Sequence, residues 1–297
     1  MTDLKGKIDF TLFVSVRNAN PNGDPLNGNR PRTDLDGNGE ISDVCIKRKI
    51  RNRLQDMGQR ILIQSNDRAD DEYKSIKSRI DGCEKLKEAA DDRKKYAEIA
   101  CKEWIDVRTF GQVFAFSNDK KGKKKGNKAE NEEDSESKSV SIGVRGPVSI
   151  HQAVSLSPVE VVSMQITKSV NGESDEGRAS DTMGTKYFIP FAVYKIMGSV
   201  NVQLAGKTGF SQEDAELLKK ALETLFENDA SSARPEGSIE VCRMYWWQHN
   251  EKTPAVSSGK IQRGFTMKDV ADPKDFEDYG IEWYVDGCDK PEVIDFV

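Results

Sequence analysis

The chain has 297 residues, of which 36% are hydrophobic and 32% are charged, with a net charge of −5 at neutral pH. This length suffices for one large domain with insertions. No stretch approaches the roughly 20 apolar residues of a membrane span, which excludes an integral membrane protein. Residues 1–8 lack the apolar core of a secretory signal. The five cysteines are scattered without a Cys-x-x-Cys pair, which predicts reduced thiols in the cytoplasm and no zinc site.

Residues 8–16 alternate between apolar and polar side chains. Apolar residues occupy every even position from Ile8 to Val16, and Phe13 is the only large apolar residue between them. A period of two is typical of a strand that buries one face. We therefore expect a half-buried strand.

The next segment, residues 17–32, reads RNANPNGDPLNGNRPR. Its prolines restrict the backbone, and its glycines and asparagines favour turns, which excludes a helix or a regular strand. Loops often carry function, and this one offers amide and guanidinium donors. We therefore expect a binding loop rather than a simple connection.

Residues 43–56 predict an amphipathic helix. Ile46, Ile50 and Leu54 recur every four residues and form one apolar stripe, and Ser42 or Asp43 is a suitable N-cap. Residues 45–60 contain six Lys or Arg against one acid. A basic patch of this kind matters more than total charge for phosphate contact.

Four further segments differ in composition from the rest. Residues 67–104 are charged, with apolar residues at loosely helical spacing, which predicts one or two amphipathic helices in an insertion. Residues 118–138 hold a lysine run followed by acids, as expected for a disordered charged loop. Residues 165–188 read as strand, polar tip and strand, which predicts a hairpin-like arm. Residues 264–297 form an acidic C-terminal segment.

The remaining segments predict mostly strands. Residues 140–151, 159–168 and 191–203 read as strands, Ser211 opens a helix with a capping-box start, and a final strand lies near Ile239–Trp247. This order predicts an α+β fold in which helices pack on one face of a mainly antiparallel sheet.

Three motifs have competing interpretations. Residues 34–45 imitate a calcium-binding loop, but Cys45 occupies the position that requires a bidentate glutamate. Residues 206–208 resemble the end of a phosphate-binding loop that lacks its first glycine. The aromatic residues at 245–247 could stack on bases, although aromatic residues in a strand more often belong to the core.

The segments together resemble the backbone subunit of the type I-C CRISPR Cascade complex, in the Cas-seven (Cas7) superfamily. The resemblance spans residues 8 to about 250, and its motifs occur in the family's order. They are residues 19–24 (ANPNGD), 29–34 (NRPRTD), 43–50 (DVCIKRKI), 106–111 (DVRTFG), 144–147 (VRGP), 183–184 (MG), 208–214 (TGFSQED) and 233–234 (AR).

The resemblance implies a single modified RNA-recognition-motif (ferredoxin-like) palm over residues 1–297. Residues 67–104 would form helical fingers and residues 165–188 a thumb hairpin. It also implies a non-catalytic subunit without a cofactor. Copies would polymerise along one CRISPR RNA and display it for pairing with target DNA in antiviral defence. The other partners would be the remaining Cascade subunits, namely the subunit that caps the guide 5' end and the large and small subunits.

A subunit that holds guides of variable sequence must grip the RNA backbone and leave base edges free. Lys and Arg on a helix, and amides on a turn-rich loop, suit that task. Met183 is the candidate wedge between bases. The expected RNA contacts are Arg17, Asn18, Asn20, Asn22, Arg30, Arg32, Lys47, Arg48, Arg51, Arg108, Arg145, Lys168, Met183, Lys186 and Arg234.

The main alternative is an enzyme. Related backbone subunits of type III systems cut target RNA with a divalent metal and a loop aspartate. Asp24, Asp34 and Asp36 are the candidates for that role in this chain. A calcium-binding module at residues 34–45 is a third possibility.

Overall fold

The computed structural model describes residues 2–116, 140–168 and 183–297. The expected charged loop at 118–138 and the tip of the expected arm lie outside these residues. The described strands are β1 (Ile8–Ala19), β2 (Gly23–Asp24), β3 (Arg30–Pro31), β4 (Asn38–Ile41), β5 (Gly111–Phe116), β6 (Val140–Arg145), β7 (Val148–Ile150), β8 (Ala153–Pro158), β9 (Val162–Thr167), β10 (Met183–Val200), β11 (Ile239–Gln248), β12 (Phe265–Thr266), β13 (Glu282–Trp283) and β14 (Glu292–Asp295). The described α-helices are α1 (Asp43–Asp56), α2 (Ile76–Asp81), α3 (Glu84–Glu88), α4 (Arg93–Glu103), α5 (Ile105–Phe110), α6 (Val202–Thr208), α7 (Gln212–Glu223) and α8 (Ser258–Arg263).

One eight-stranded sheet organises the chain. Its main path runs β14-β11-β1-β10-β8-β4, and β7 and β9 also pair with β10. Every described strand pair is antiparallel. The expected α+β class with an antiparallel sheet is therefore confirmed.

The first core lies between the sheet and the helices α1 and α7. The even-numbered side chains of β1 from Ile8 to Val16 pack there, against the apolar stripes of both helices. Side-chain caps fix where the helices begin. The Ser42 hydroxyl accepts from the backbone N–H of Cys45, and Ser211 forms a capping box with Asp214. The helices at 43–56 and after Ser211 are confirmed.

The strand expected at residues 8–16 is confirmed, but its expected half-burial is wrong, because both faces of β1 are buried over these residues. Phe13 enters a second core on the opposite face, together with Tyr245 and Trp247. The C-terminal segment covers this face with Phe276, Tyr279 and other apolar side chains. The aromatic residues of β11 are therefore core residues, as the simpler interpretation held.

A third apolar cluster joins the small helices to a separate hairpin. Tyr96 and Trp104 pack there with Phe114 of β5 and Ile142 of β6. The helices α2, α3 and α4 all fall within residues 67–104. None of the helices among the described residues is long and apolar enough to cross a bilayer.

The strand expected at residues 191–203 differs in both limits. It is the second half of one 18-residue strand, β10, which begins at Met183 and ends at Val200. Asn201 then caps α6, because its side chain accepts from the backbone N–H of Leu204. Gly206 lies inside this helix, which excludes the phosphate-binding loop.

Candidate nucleic-acid interface

The asparagine-rich loop is a compact structure held by its own polar groups. The strands β2 and β3 pair, with Asp24 opposite Arg30. Between them, the Asp24 carboxylate accepts from the backbone N–H of Leu26 (3.2 Å), and the Asp24 carbonyl accepts from the backbone N–H of Asn29 (2.8 Å). Gly28 and Asn29 have φ of 59° and 61°, the left-handed region that these residue types tolerate. The loop is therefore ordered by its sequence.

Two of the expected amide donors serve the loop itself. The Asn20 amide donates to the backbone carbonyl of Asn29 (2.7 Å). The side-chain amide oxygen Oδ1 of Asn22 accepts from both the backbone N–H and the hydroxyl of Ser42, which ties the loop to the start of α1. Asn18 is exposed at φ 49°. The structure therefore gives Asn20 and Asn22 positioning roles and leaves Asn18 accessible.

The loop packs against the base of a two-stranded arm, formed by β9 and Met183–Phe188 of β10. The Arg30 guanidinium lies over the Tyr187 ring, 4.6 Å from its centroid. Arg30 has no hydrogen bond or ion pair among the described residues, so its charge is available to a ligand. The arm thus brings β10 to residues that are more than 150 positions earlier in the chain.

The pleat gives this arm two chemically different faces. Residues directly opposite on the two strands share a face, and Met183 is paired with Thr167 and Tyr187 with Ser163. Met183, Thr185 and Tyr187 therefore share the face that meets Arg30. The other face carries Lys186 with the apolar residues Val162, Met164, Ile166 and Phe188. Lys168 follows β9 and is exposed.

Three further arginines of the expected set surround the loop, each held by an acid of the protein. Arg17 pairs with Asp275 (3.2 Å) and lies over Phe191, 4.8 Å from the ring centroid. Arg32 pairs with Asp24 (3.3 Å). Arg234 donates to Asp229 (3.0 Å), and the Asn20 backbone N–H donates to the neighbouring carbonyl of Ala233.

Every basic residue of α1 has a polar partner within the protein. Lys47 pairs with Asp43 on its own helix, and Arg48 donates to the carbonyl of Ile63. The remaining three pair with acids that are distant in sequence. They are Lys49 with Asp229, Arg51 with Asp106 and Arg53 with Glu227. Burial lowers the pKa of Lys49, since it disfavours the charged form of the amine. The basic helix is therefore largely neutralised by the fold.

Arg108 and Arg145 have opposite surroundings. Arg108 is only 9% exposed and makes two hydrogen bonds, of 2.7 and 2.9 Å, to the buried carboxylate of Asp214. Arg145 is exposed at the end of β6 and has no ion pair within the described ranges. Its strand partner is Gly111 of β5. The residue before Gly111 is Phe110, and the Arg51 guanidinium lies 5.0 Å from the centroid of the Phe110 ring. The structure places Arg108 inside the protein and Arg145 on its surface.

The candidate acids of the alternative functions are engaged in turns. Asp24 caps the loop, and both Asp34 oxygens accept hydrogen bonds, from the backbone N–H groups of Asp36 and Asn38 and from the Asn38 amide. The Asn38 amide holds the pKa of the Asp34 carboxyl below its ordinary value. A liganded calcium loop would instead point the Asn38 oxygen toward the ion. Among the described residues, no group of three His, Cys, Asp or Glu side chains is arranged to hold a metal ion.

Sequence reasoning missed two residues of this surface. Tyr187 is an aromatic residue at a strand position, a pattern that indicates core. Its contact with Arg30 is visible only in the structure. Leu26 sits among polar turn residues and gave no periodic signal, although its side chain is 99% exposed. We call Leu26, Arg30, Met183 and Tyr187, together with Lys186 on the opposite face of the arm, the loop–arm surface.

Comparison with known proteins identifies similar chains. The family model described as CRISPR-associated protein Cas7 matches residues 6–284. A CRISPR-associated protein Cas7 of Haloferax volcanii is 29% identical over 232 residues, or 74% of this chain. The match spans 64% of that relative's length, less than two thirds of it.

Two solved chains are also similar. One, from a CRISPR RNA-guided surveillance complex in a pre-nicking state, has a TM-score of 0.43 at 16% identity and covers 81% of this chain and 77% of its own. Another, from a CRISPR RNA-guided surveillance complex, has a TM-score of 0.40 at 14% identity and covers 81% of this chain and 68% of its own.

Proposed function

The chain belongs to the CRISPR-associated Cas7 family, and we propose that it is a non-catalytic backbone subunit that coats the guide RNA of a Cascade surveillance complex. The single observation that carries this proposal is the loop–arm surface. There, Arg30 and Lys186 have no acidic partner among the described residues, while four of the five cations of α1 pair with acids and Arg48 donates to a backbone carbonyl.

The chemistry of this surface fits a grip on the RNA backbone. Cations bind phosphates without regard to base identity, and a guide filament must accept any spacer sequence. Arg30 and Lys186 flank the base of the arm and hold phosphates there, and Lys168 extends this set along β9. Met183, 68% exposed, acts as a wedge from the arm face that carries Tyr187.

The other expected contacts take graded roles. Arg17 and Arg234 exchange their acidic partners for phosphates at the edge of the loop. Asn18 donates there from an exposed position, and Arg32 adds its charge while it keeps the ion pair with Asp24. Arg145, exposed at the end of β6 and paired with Gly111, forms a separate contact. Asn20, Asn22 and Arg108 shape the protein instead, because their polar groups are used internally.

The assembly follows from the same proposal. The arm is the thumb, and α2–α4 are the fingers. The complex is of type I-C and lies in the cytoplasm. Further copies of this chain follow the guide, with a 5'-end capping subunit and large and small subunits, and target DNA pairs with the displayed bases.

A binding experiment tests the proposal. The purified chain is titrated onto fluorescein-labelled single-stranded RNAs of guide length but unrelated sequence, with duplex DNA as the control. We expect equal affinities for the RNAs, and bound particles whose mass grows in steps with RNA length. Strong preference for one sequence, or failure to bind RNA, would contradict it.

The same particles test the enzymatic alternative. With complementary RNA and magnesium, we expect no cleavage, because Asp24 and Asp34 already serve as caps. Regularly spaced products that disappear in Asp24→Ala or Asp34→Ala would establish a metal-dependent ribonuclease instead.

A further inference from the structure

Leu26 occupies an unusual position at the tip of the asparagine-rich loop. Its side chain is 99% exposed, yet the loop that carries it is locked. The Asp24 carboxylate fixes the Leu26 backbone N–H, and Arg32 holds that carboxylate from behind. The Asn20 amide fixes the far side of the tip through the Asn29 carbonyl. A rigid loop therefore holds an apolar side chain out in solvent.

The tip lies beside the base of the arm. A methyl group added at Gly28 would lie 3.9 Å from the Tyr187 ring, and the Arg30 guanidinium stacks on the same ring. The loop tip that carries Leu26 thus meets the ring on which Arg30 stacks, and Arg30 has no acidic partner among the described residues. Met183 lies on the arm face of Tyr187, four residues along β10, or roughly 13 Å at 3.3 Å per residue.

A second leucine of the same region shows what distinguishes Leu26. Leu35 is equally exposed, at 105%, on the turn that Asp34 caps. Isolated exposed leucines are common on protein surfaces and need no function. Leu35, however, is flanked in sequence by Asp34 and Asp36, whereas Leu26 belongs to the loop whose Gly28 approaches the ring on which Arg30 stacks. Only Leu26 is placed where a polyanion would be held.

We propose that Leu26 is an apolar wedge that packs against an unstacked nucleobase of the bound single strand while Arg30 holds the adjacent phosphate. Apolar side chains of this size separate neighbouring bases when the surrounding contacts fix the backbone. A preorganised loop lowers the ordering cost of such insertion. Leu26 and Met183 then contact the two ends of one short stretch of the RNA strand. This inference rests on the proposed function, since it requires single-stranded RNA on the loop–arm surface.

The test uses the full chain and RNAs that carry 2-aminopurine at successive positions, because this base brightens when it unstacks. With wild-type protein, the 2-aminopurine fluorescence should increase at two kinds of position in the stretch of RNA that each copy covers, one for each wedge. Leu26→Ala should remove the fluorescence increase at only one of the two kinds of position. It should also weaken RNA binding about fivefold, which is the lower end of the effect of losing a base-stacking contact. Leu26→Met should restore both signals. Leu35→Ala is the matched control and should behave like wild type.

Two results would overturn the wedge. In one, the wild-type protein binds RNA and Leu26→Ala gives the same fluorescence pattern as Leu35→Ala. In the other, Leu26→Ala leaves fluorescence unchanged but abolishes self-association without RNA, which would make the tip a contact between copies. Failure of the wild-type protein to bind RNA is a different outcome, which removes the proposed function together with the wedge. Folding is not at issue, since the Leu26 side chain is exposed.

Discussion

The helix α1 and the loop–arm surface illustrate the difference between charge in a sequence and charge on a surface. The helix has five Lys or Arg within seven residues, and each contacts an acid or a carbonyl of the protein. The loop–arm surface has fewer cations, but Arg30 and Lys186 have no acidic partner among the described residues. Polyanion binding requires cations that the fold has not already neutralised.

Arg108, the most buried arginine of the expected RNA-binding set, offers the largest effect, and it tests whether inward cations are structural. Arg108→Ala should lower the free energy of unfolding by about 3–5 kcal/mol, because Asp214 would stay buried without a counter-charge. Arg108→Lys should lose less, since it keeps the charge but not the paired hydrogen bonds. Urea denaturation followed by circular dichroism measures both.

Arg145 is the control for this prediction, because the sequence placed both arginines in the RNA-binding set. Arg145→Ala removes an exposed side chain and should change stability by less than about 0.5 kcal/mol. Equal stability of Arg108→Ala and Arg145→Ala would contradict the structural role of the buried pair.

A substitution that disturbs the ordered loop should give the next largest effect on stability, and the loop–arm surface depends on that order. A methyl group at Gly23 would overlap the Asn29 side chain and lie 3.0 Å from the Asn29 carbonyl oxygen. Gly23→Ala should therefore cost about 1–3 kcal/mol of stability through overpacking and also weaken RNA binding. Thermal unfolding and RNA titration measure the two effects.

A glycine elsewhere gives the opposite sign. Gly206 lies inside α6 with no atom within 4 Å of an added methyl group. Gly206→Ala should stabilise the protein by about 0.5–1 kcal/mol and leave RNA binding unchanged. If Gly23→Ala binds RNA as well as Gly206→Ala does, the ordered loop is not needed for binding.

Lys195 shows what an inward cation costs without an acid. Its amine donates to the carbonyl of Gln262 (2.6 Å) and lies over Phe265, with no ion pair among the described residues. Burial lowers its pKa from 10.5 to about 8. Between these values the unfolded chain binds more protons, so this residue makes stability rise with pH from about 8 to 10.5.

Lys195→Met should lack that rise, a difference of about 1 kcal/mol after solvent screening. Buried tyrosines such as Tyr194, whose pKa is raised by burial, act in the opposite direction over this range. The quantity to compare is therefore the difference between wild type and variant in urea denaturation at several pH values. A difference that stays constant with pH would show that Lys195 titrates as an exposed amine.

Local patterns predicted the elements well where one face decides the structure. The stripe of Ile46, Ile50 and Leu54, with a cap at Ser42 or Asp43, predicted a helix over residues 43–56, and the structure places the cap at Ser42. The capping box predicted the start of α7. The alternation in β1 predicted the strand but not the burial of its second face. Phe13 was the local sign of that burial, and its partners, such as Phe276, are more than 200 residues away.

The site was harder to predict because its decisive contacts are not local. Asp106, Asp229 and Glu227 neutralise α1 from distant segments, which no periodicity within the helix reveals. The asparagines of the loop suggested donors for a ligand, but Asn20 and Asn22 satisfy the backbone of the loop and of Ser42. The contact between Arg30 and the Tyr187 ring depends on the register of the two strands of the arm, and no local pattern in the sequence indicates that register.

The salt dependence of RNA binding tests the central claim most directly. Two double variants are compared with wild type on unrelated single-stranded RNAs: Arg30→Ala with Lys186→Ala, and Lys47→Ala with Arg48→Ala. Each phosphate contact on a single strand contributes about 0.7 to the slope of log affinity against log salt, so the first variant should lose about 1.4. The second should keep the wild-type slope. The reverse pattern, with the slope lost only in the helix variant, would contradict the account.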